Sequence, residues 1–189
     1  MNKILTGLLL TAVVSIPAFA ALQAGSTAPA FTARASLAGE EFDYSLSEAL
    51  ASGPVVVYFY PSAYTRGCNI QAHEFAVNME KFKAAGASVI GVSLDSIERL
   101  NDFSADPEYC AGELSVASDE SGDIAKSYGL SVSEARVGMK DTRGVEVNHG
   151  FAERTTFIVK PDGEVSAVIG GISPMENVRK SLEAVQNLK

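Results

Sequence analysis

The sequence is poor in cysteine, in histidine and in positive charge. It contains two cysteines and two histidines, and no pair of them has the short spacing of a zinc-finger ligand set, so we expect no metal site. Its 15 Lys and Arg residues are outnumbered by 23 Asp and Glu residues. A chain with this excess of negative charge is an unfavourable partner for nucleic acid.

Internal repeats, low-complexity tracts and linker-like segments are also absent from the sequence. Apolar residues make up 47% of it, which argues against disorder. The 169 residues that follow position 20 suit one globular domain with a core of ordinary size. We therefore predict a single domain over residues 21–189.

The first twenty residues, MNKILTGLLLTAVVSIPAFA, have the pattern of an export signal peptide. Lys3 gives the positive start, an apolar segment follows, and the small residues Ala18 and Ala20 precede a cleavage site. A membrane anchor is the competing interpretation, but the apolar segment is short and contains a proline. We expect cleavage after residue 20, a mature chain with a net charge of −9 and no lasting membrane contact, and a periplasmic or, alternatively, secreted location.

Strand-like and helix-like patterns alternate along the rest of the chain. We predict, in order, a hairpin (31–36 and 40–44), a short helix (47–51), a buried strand (55–60), a helix (through 75, 79 and 82), a buried strand (88–94), a helix with caps at 95 and 96 (97–105), a strand (114–117), a helix (119–128), a polar excursion (131–150), a second hairpin (155–159 and 164–169) and a final helix (174–188). This order predicts an α/β domain with a mixed central sheet flanked by helices. After the N-terminal β-hairpin, it is the order of the thioredoxin-like fold.

The first cysteine, Cys68, lies where the predicted buried strand has ended and a helix begins. At a helix start, unpaired backbone N–H groups and the helix dipole favour a thiolate over a thiol. A structural cysteine needs no such position, although a plain structural disulfide is the default for two cysteines in an exported chain. The position therefore indicates a reactive sulfur.

The segment from Pro61 to Cys68 resembles the active-site signature of the peroxiredoxins, which is Pro-x-x-x-Thr-x-x-Cys directly after an apolar strand. A second similarity is the segment GFAERTTFIVKPDGEV, where Arg154 precedes a strand and a Pro-Asp-Gly turn, as the distant active-site arginine of that family does. The resemblance extends over nearly the whole mature chain. The YFYP and Thr-x-Gly-Cys segments are most similar to the Q-type branch, the bacterioferritin-comigratory-protein-like peroxiredoxins.

The resemblance implies a thiol peroxidase that reduces hydrogen peroxide and small organic hydroperoxides and needs no cofactor. In this interpretation Cys68 attacks the peroxide and becomes a sulfenic acid. The Thr65 hydroxyl holds the reacting oxygen, and Arg154 stabilises the thiolate and the leaving oxygen. Pro61 fixes the loop and excludes water without adding an N–H donor.

The sequence departs from the Q-type pattern at two positions. Many Q-type members have a second cysteine where this chain has His73, and the usual glutamate three residues after the cysteine is Gln71. The resemblance then leaves Cys110 as the resolving cysteine, which would form an intramolecular disulfide with Cys68. A thioredoxin- or glutaredoxin-like protein dithiol would reduce this bond, in a monomer or weak dimer. The alternative is that Cys110 is a buried or unpaired thiol and that an external thiol resolves the sulfenate.

Two other functions compete with peroxide reduction. A thiol–disulfide oxidoreductase of thioredoxin-like fold usually needs Cys-x-x-Cys, but the last position of that motif is Gln71 here. A non-enzymatic module with a structural disulfide would show no thiolate reactivity and no effect of Arg154. We also expect both histidines, His73 and His149, at the surface.

Overall fold

The structure, a computed structural model, describes residues 22–188. The predicted signal peptide, residues 1–20, lies outside the described residues, so its cleavage stays a prediction. Within residues 22–188 no helix combines the length and the apolar character needed to cross a membrane.

A seven-stranded mixed sheet organises the described part of the chain. In chain order the elements are β1 (Thr32–Leu37), β2 (Glu40–Ser45), α1 (Leu46–Leu50), β3 (Val55–Phe59), α2 (Arg66–Val77), α3 (Met79–Ala84), β4 (Ser88–Ser93), α4 (Ile97–Ala105), β5 (Ser115–Ser118), α5 (Asp123–Ser127), β6 (Val132–Ser133), β7 (Phe151–Ala152), β8 (Thr155–Val159), β9 (Val165–Gly170) and α6 (Pro174–Gln186). The strand order in the sheet is β2-β1-β5-β4-β3-β8-β9. Strand β3 is parallel to β4 and antiparallel to β8. The predicted mixed sheet with an N-terminal hairpin is confirmed.

The central strand β3 is buried on both faces, as its uninterrupted apolar sequence predicts. Val56 and Tyr58 pack into the core on the side covered by α2, α3, α4 and α6. Val57 and Phe59 pack on the opposite side, under α1 and α5. Full burial of such side chains stabilises the fold by about 1.5–3 kcal/mol each. The carboxyl end of β3 is thereby a rigid base for the loop that follows it.

Two predicted helices differ from the structure by more than small shifts at their ends. The helix through positions 75, 79 and 82 is broken at Asn78, whose side-chain amide donates to the carbonyl oxygen of Glu74 at 2.8 Å. The predicted helix 119–128 begins only at residue 123, because the Asp119 carboxylate accepts hydrogen bonds from the backbone N–H groups of Ile124 and Ala125 instead. Both differences arise from side chains that compete for backbone partners.

The polar excursion at 131–150 is more regular than its sequence predicts. Strand β6 lies at its start and pairs with β7, which directly follows residue 150, and between these two strands the chain folds back on itself. Backbone hydrogen bonds join Val147 to Met139 and Asp141 to Val145, each at 2.8 Å. We call residues 139–147 the excursion hairpin. Its tip lies against the loop after β3.

Candidate active site

Cys68 is the third residue of α2 and only 2% of it is exposed. The helix starts directly after the loop that leaves the carboxyl end of β3. The Cys68 backbone N–H donates to the carbonyl oxygen of Thr65 at 2.9 Å, so the first helical turn is closed around the cysteine. This is the position that the sequence predicts, in the first turn of a 12-residue helix, where the helix dipole is positive.

Arg154 is the cation that faces this sulfur. Strand β8 pairs with β3 so that Thr155 lies opposite Phe59, which places Arg154 beside the loop after β3. Its Nη2 donates to the Cys68 Sγ at 3.2 Å, and its Nη1 donates to the Gln71 Oε1. One guanidinium nitrogen therefore contacts the sulfur, and the other fixes the guanidinium through its hydrogen bond to Gln71.

A buried amide network sets the orientation of Gln71. Its Nε2 donates to the Asn177 Oδ1 at 3.0 Å, and the Thr156 hydroxyl donates to the same oxygen at 2.7 Å. The Asn177 Nδ2 donates to the carbonyl oxygen of Ile169 at 2.9 Å. Gln71 and Asn177 are at most 1% exposed, so these bonds leave the Gln71 carbonyl directed at Arg154. Because that carbonyl is neutral, it orients the guanidinium without cancelling its charge.

Thr65 and Pro61 complete the loop, and the Thr65 hydroxyl does not cap the helix. It donates to the carbonyl oxygen of Ser62 at 2.8 Å. This bond uses its only proton and leaves the lone pairs of Oγ1 as acceptors. Beside the loop is a groove of about 350 Å³. The residues that line it include Pro61, Met139, Phe151, Ala152 and Arg154. The structure thus brings Pro61, Thr65, Cys68 and Arg154 together at one site.

Cys110 is placed differently from Cys68. It lies in the turn after α4, is completely buried and, like Cys68, is a free thiol. Burial, and to a smaller extent the charge of Asp106, raise the pKa of the Cys110 thiol well above its usual value. Both cysteines belong to the same apolar core cluster, which also includes Tyr58. Of the two sulfurs, that of Cys68 therefore faces a cation, whereas that of Cys110 is enclosed by the core.

The two histidines have different surroundings. His73 is exposed, as expected, and its Nδ1 hydrogen-bonds to the carbonyl oxygen of Glu108 at 3.0 Å. The prediction that His149 is a simple surface residue is wrong, since its Nε2 lies 2.8 Å from the Oδ1 of the fully buried Asp95. Burial alone would lower the pKa of His149, but the hydrogen bond and the charge of Asp95 outweigh it and raise this pKa.

Asp95 organises the loop after β3, which sequence reasoning missed. Its carboxylate accepts from the Ala63 backbone N–H at 2.7 Å, from the Ser62 hydroxyl at 2.8 Å and from the Arg99 Nε at 2.9 Å. Burial raises the pKa of Asp95, but bonds from His149 and the backbone reverse this effect and lower it. Of the two predicted caps of α4, Asp95 and Ser96, only the Ser96 side chain caps the helix. One signal was available, because Asp95 is an acidic residue just beyond a buried parallel strand, at the edge where α/β sites form.

The chain is similar to known proteins over most of its length. Residues 24–168 match the AhpC/TSA family. The chain is 33% identical over 172 residues to the chloroplastic peroxiredoxin Q of Sedum lineare, covering 90% of this chain and 82% of the relative. It is 31% identical over 147 residues to peroxiredoxin Bcp of Escherichia coli K12, covering 78% and 85%. Among solved structures, the peroxidoxin BcpB of Mycobacterium tuberculosis superposes with a TM-score of 0.73 at 26% identity, covering 89% of this chain and 99% of that chain.

Proposed function

The chain belongs to the AhpC/TSA family and is a peroxiredoxin of thioredoxin-like fold, and from this premise we propose that Cys68 is the residue that reacts with peroxide. Reduction of peroxides by a cysteine thiol is the activity of its relatives, so the protein is a thiol peroxidase. The observation that supports the assignment of Cys68 is the 3.2 Å contact between its Sγ and the Arg154 Nη2. A cation at this distance stabilises a thiolate, which is the nucleophilic form of cysteine.

In the proposed reaction the Cys68 thiolate attacks one oxygen of the peroxide. An S–O bond forms while the O–O bond breaks, and the sulfur becomes a sulfenic acid. The leaving oxygen departs with the electron pair of the broken bond and takes up a proton to become water or an alcohol. Arg154 is placed to stabilise the negative charge on both the sulfur and the leaving oxygen.

Thr65 and Pro61 act on the position of the peroxide. Because the Thr65 proton is donated to Ser62, the free lone pairs of Oγ1 accept the O–H of a protonated peroxide and hold it in line with the sulfur. Pro61 lines the adjacent groove and brings no N–H donor to compete for the peroxide oxygens. The apolar side chains of that groove support small organic hydroperoxides as substrates beside hydrogen peroxide.

Resolution of the sulfenate is assigned to Cys110. Its thiol displaces the hydroxyl of the Cys68 sulfenic acid, which gives the Cys68–Cys110 disulfide and water. Cys110 is completely buried and Cys68 lies in the first turn of α2, so we expect this step to need Cys68 to leave that turn and the Cys110 segment to open. A thioredoxin- or glutaredoxin-like dithiol then reduces the bond and is itself oxidised to a disulfide.

The N-terminal segment supports a proposal for the location of this antioxidant activity. Residues 1–20 are proposed to be a signal peptide that directs the protein to the periplasm or out of the cell. The mature chain, with its net charge of −9, is proposed to act there as a monomer or weak dimer.

The test is turnover by the reduced protein that begins at residue 21. Consumption of hydrogen peroxide and of a small organic hydroperoxide is followed with a thioredoxin system as electron source. We expect turnover by the wild type and none by Cys68→Ser. Equal turnover by both proteins would disprove the assignment.

A further inference from the structure

Tyr64, the residue directly before Thr65, has a left-handed backbone with φ of +59°. For a residue with a bulky side chain this conformation is unfavourable, and it persists only where the surroundings fix it. Because Thr65 is the N-cap of α2, the conformation of Tyr64 sets the direction in which the helix of Cys68 begins. The contacts that hold Tyr64 therefore also hold the reactive cysteine.

The excursion hairpin supplies those contacts. The Thr142 backbone N–H and the Thr142 hydroxyl both donate to the carbonyl oxygen of Tyr64, at 3.0 and 2.7 Å. The Asn69 side-chain amide, one residue after Cys68, donates to the same hydroxyl at 3.3 Å. The Arg143 guanidinium carbon lies 3.2 Å from the centre of the Tyr64 ring. A single residue, Thr142, thus joins the loop to the first turn of α2.

The hairpin is itself anchored to the loop after β3. The buried Asp141 carboxylate accepts from the backbone N–H groups of Arg143 and Val145, at 2.8 and 3.0 Å, which shapes the tip of the hairpin. It also accepts from the Arg99 Nη2 at 2.8 Å, and the same nitrogen donates to the carbonyl oxygen of Ala63 at 2.8 Å. Arg99 therefore fixes the hairpin and the loop relative to each other, so Thr142 presents its donors at a defined place.

On its other side the Tyr64 ring contacts the segment that contains Cys110. Its centroid lies 5.8 Å from that of Tyr109 and 5.0 Å from that of Phe103, both in edge-to-face arrangements. Tyr64 is thus packed between the excursion hairpin and the neighbour of Cys110.

We propose that Thr142 is a positioning residue of the peroxidase site. It locks Tyr64 and the first turn of α2 in the conformation in which Cys68 reacts with peroxide. This inference rests on the proposed role of Cys68.

The test compares Thr142→Val with Thr142→Ser. Valine keeps the branched shape and the backbone N–H but removes the hydroxyl, whereas serine retains the hydroxyl. Thr32→Val, at an exposed position on β1, is the matched control. Two quantities are measured on the reduced proteins: the rate of Cys68 sulfenate formation, and amide hydrogen exchange over residues 61–70. The chain has no tryptophan, so the sulfenate is followed by rapid quenching, alkylation and mass spectrometry.

In Thr142→Val we expect sulfenate formation to slow about fivefold and exchange at residues 61–70 to accelerate about fivefold, the factor that corresponds to one hydrogen bond. Exchange in β3 should not change, and Thr142→Ser and Thr32→Val should behave like the wild type. Wild-type values of both quantities in Thr142→Val would overturn the proposal. So would faster exchange throughout the protein, because that indicates a general loss of stability. A wild type that forms no sulfenate at Cys68 would instead disprove the proposed function.

Discussion

Replacement of Arg154 by alanine removes the only guanidinium that contacts the Cys68 sulfur within residues 22–188. Two unit charges 3.2 Å apart attract each other by about 5 kcal/mol at an effective dielectric constant of about 20. Part of this attraction already stabilises the thiolate before the peroxide arrives, so only a fraction of the roughly 5 kcal/mol lowers the activation barrier for oxidation of Cys68. Loss of one preorganised donor from such a site typically costs about 3–4 kcal/mol, a factor of about 10²–10³ in rate. We therefore expect Arg154→Ala to slow the oxidation of Cys68 about 10²–10³-fold.

Arg154→Lys distinguishes the charge from its geometry. Lysine keeps the positive charge but lacks the planar fork that contacts the sulfur and Gln71 at once. We expect a loss smaller than that of Arg154→Ala, and clearly measurable. The assay is a single-turnover oxidation of the reduced protein, with rapid quenching and mass spectrometry of Cys68. Arg179→Ala is the matched control, because Arg179 is an exposed arginine on α6. Oxidation of Arg154→Ala at the wild-type rate would refute the reasoning.

Three further predictions concern the second cysteine and the buried ion pair. Cys110→Ser should leave the first oxidation unchanged and abolish the intramolecular disulfide; loss of the first, single-turnover step would contradict the assigned roles. A disulfide that closes a loop of 42 positions should stabilise the folded state by about 4 kcal/mol. Because the first turn of α2 is lost when this bond forms, much of that gain is offset. The melting temperatures of the oxidised and reduced proteins should therefore be similar. A much higher melting temperature of the oxidised form would indicate a structural disulfide. Folding raises the pKa of His149, so its ion pair with Asp95 contributes to the free energy of unfolding. This contribution is complete at a pH below the pKa of the unfolded state, about 6.5, and is lost as the pH rises through the pKa of the folded state. The unfolding free energy lost in His149→Gln, from denaturant titrations, should thus be larger at about pH 5.5 than at about pH 9; equal losses would contradict the ion pair with Asp95.

The predictable parts of this molecule are those with a local pattern. The continuous apolar run of β3 identifies a strand buried on both faces, and the turn after it places Cys68 at a helix start. Arg154 is predictable through its resemblance to a family pattern, since it precedes a strand and a turn of recognisable sequence. Each of these features depends on neighbours within a few positions along the chain.

The parts that sequence reasoning missed depend on contacts between distant positions. Gln71 and Asn177 are 106 positions apart, and only the packing of α6 on α2 brings their amides together. The partner of His149 is 54 positions away, and the polar sequence around this histidine is equally typical of a surface segment. Thr142 has no local signal at all, because its role comes from the fold of the excursion hairpin over Tyr64.

The most direct test of the account is to identify which sulfur is oxidised first. Reduced Cys110→Ser and Cys68→Ser proteins are each treated with one equivalent of hydrogen peroxide and dimedone, a reagent that traps sulfenic acids, and are then analysed by mass spectrometry. We expect a rapid, stoichiometric adduct on Cys68 in Cys110→Ser and none on Cys110 in Cys68→Ser. An unmodified Cys68, or an equally rapid adduct on Cys110, would contradict it.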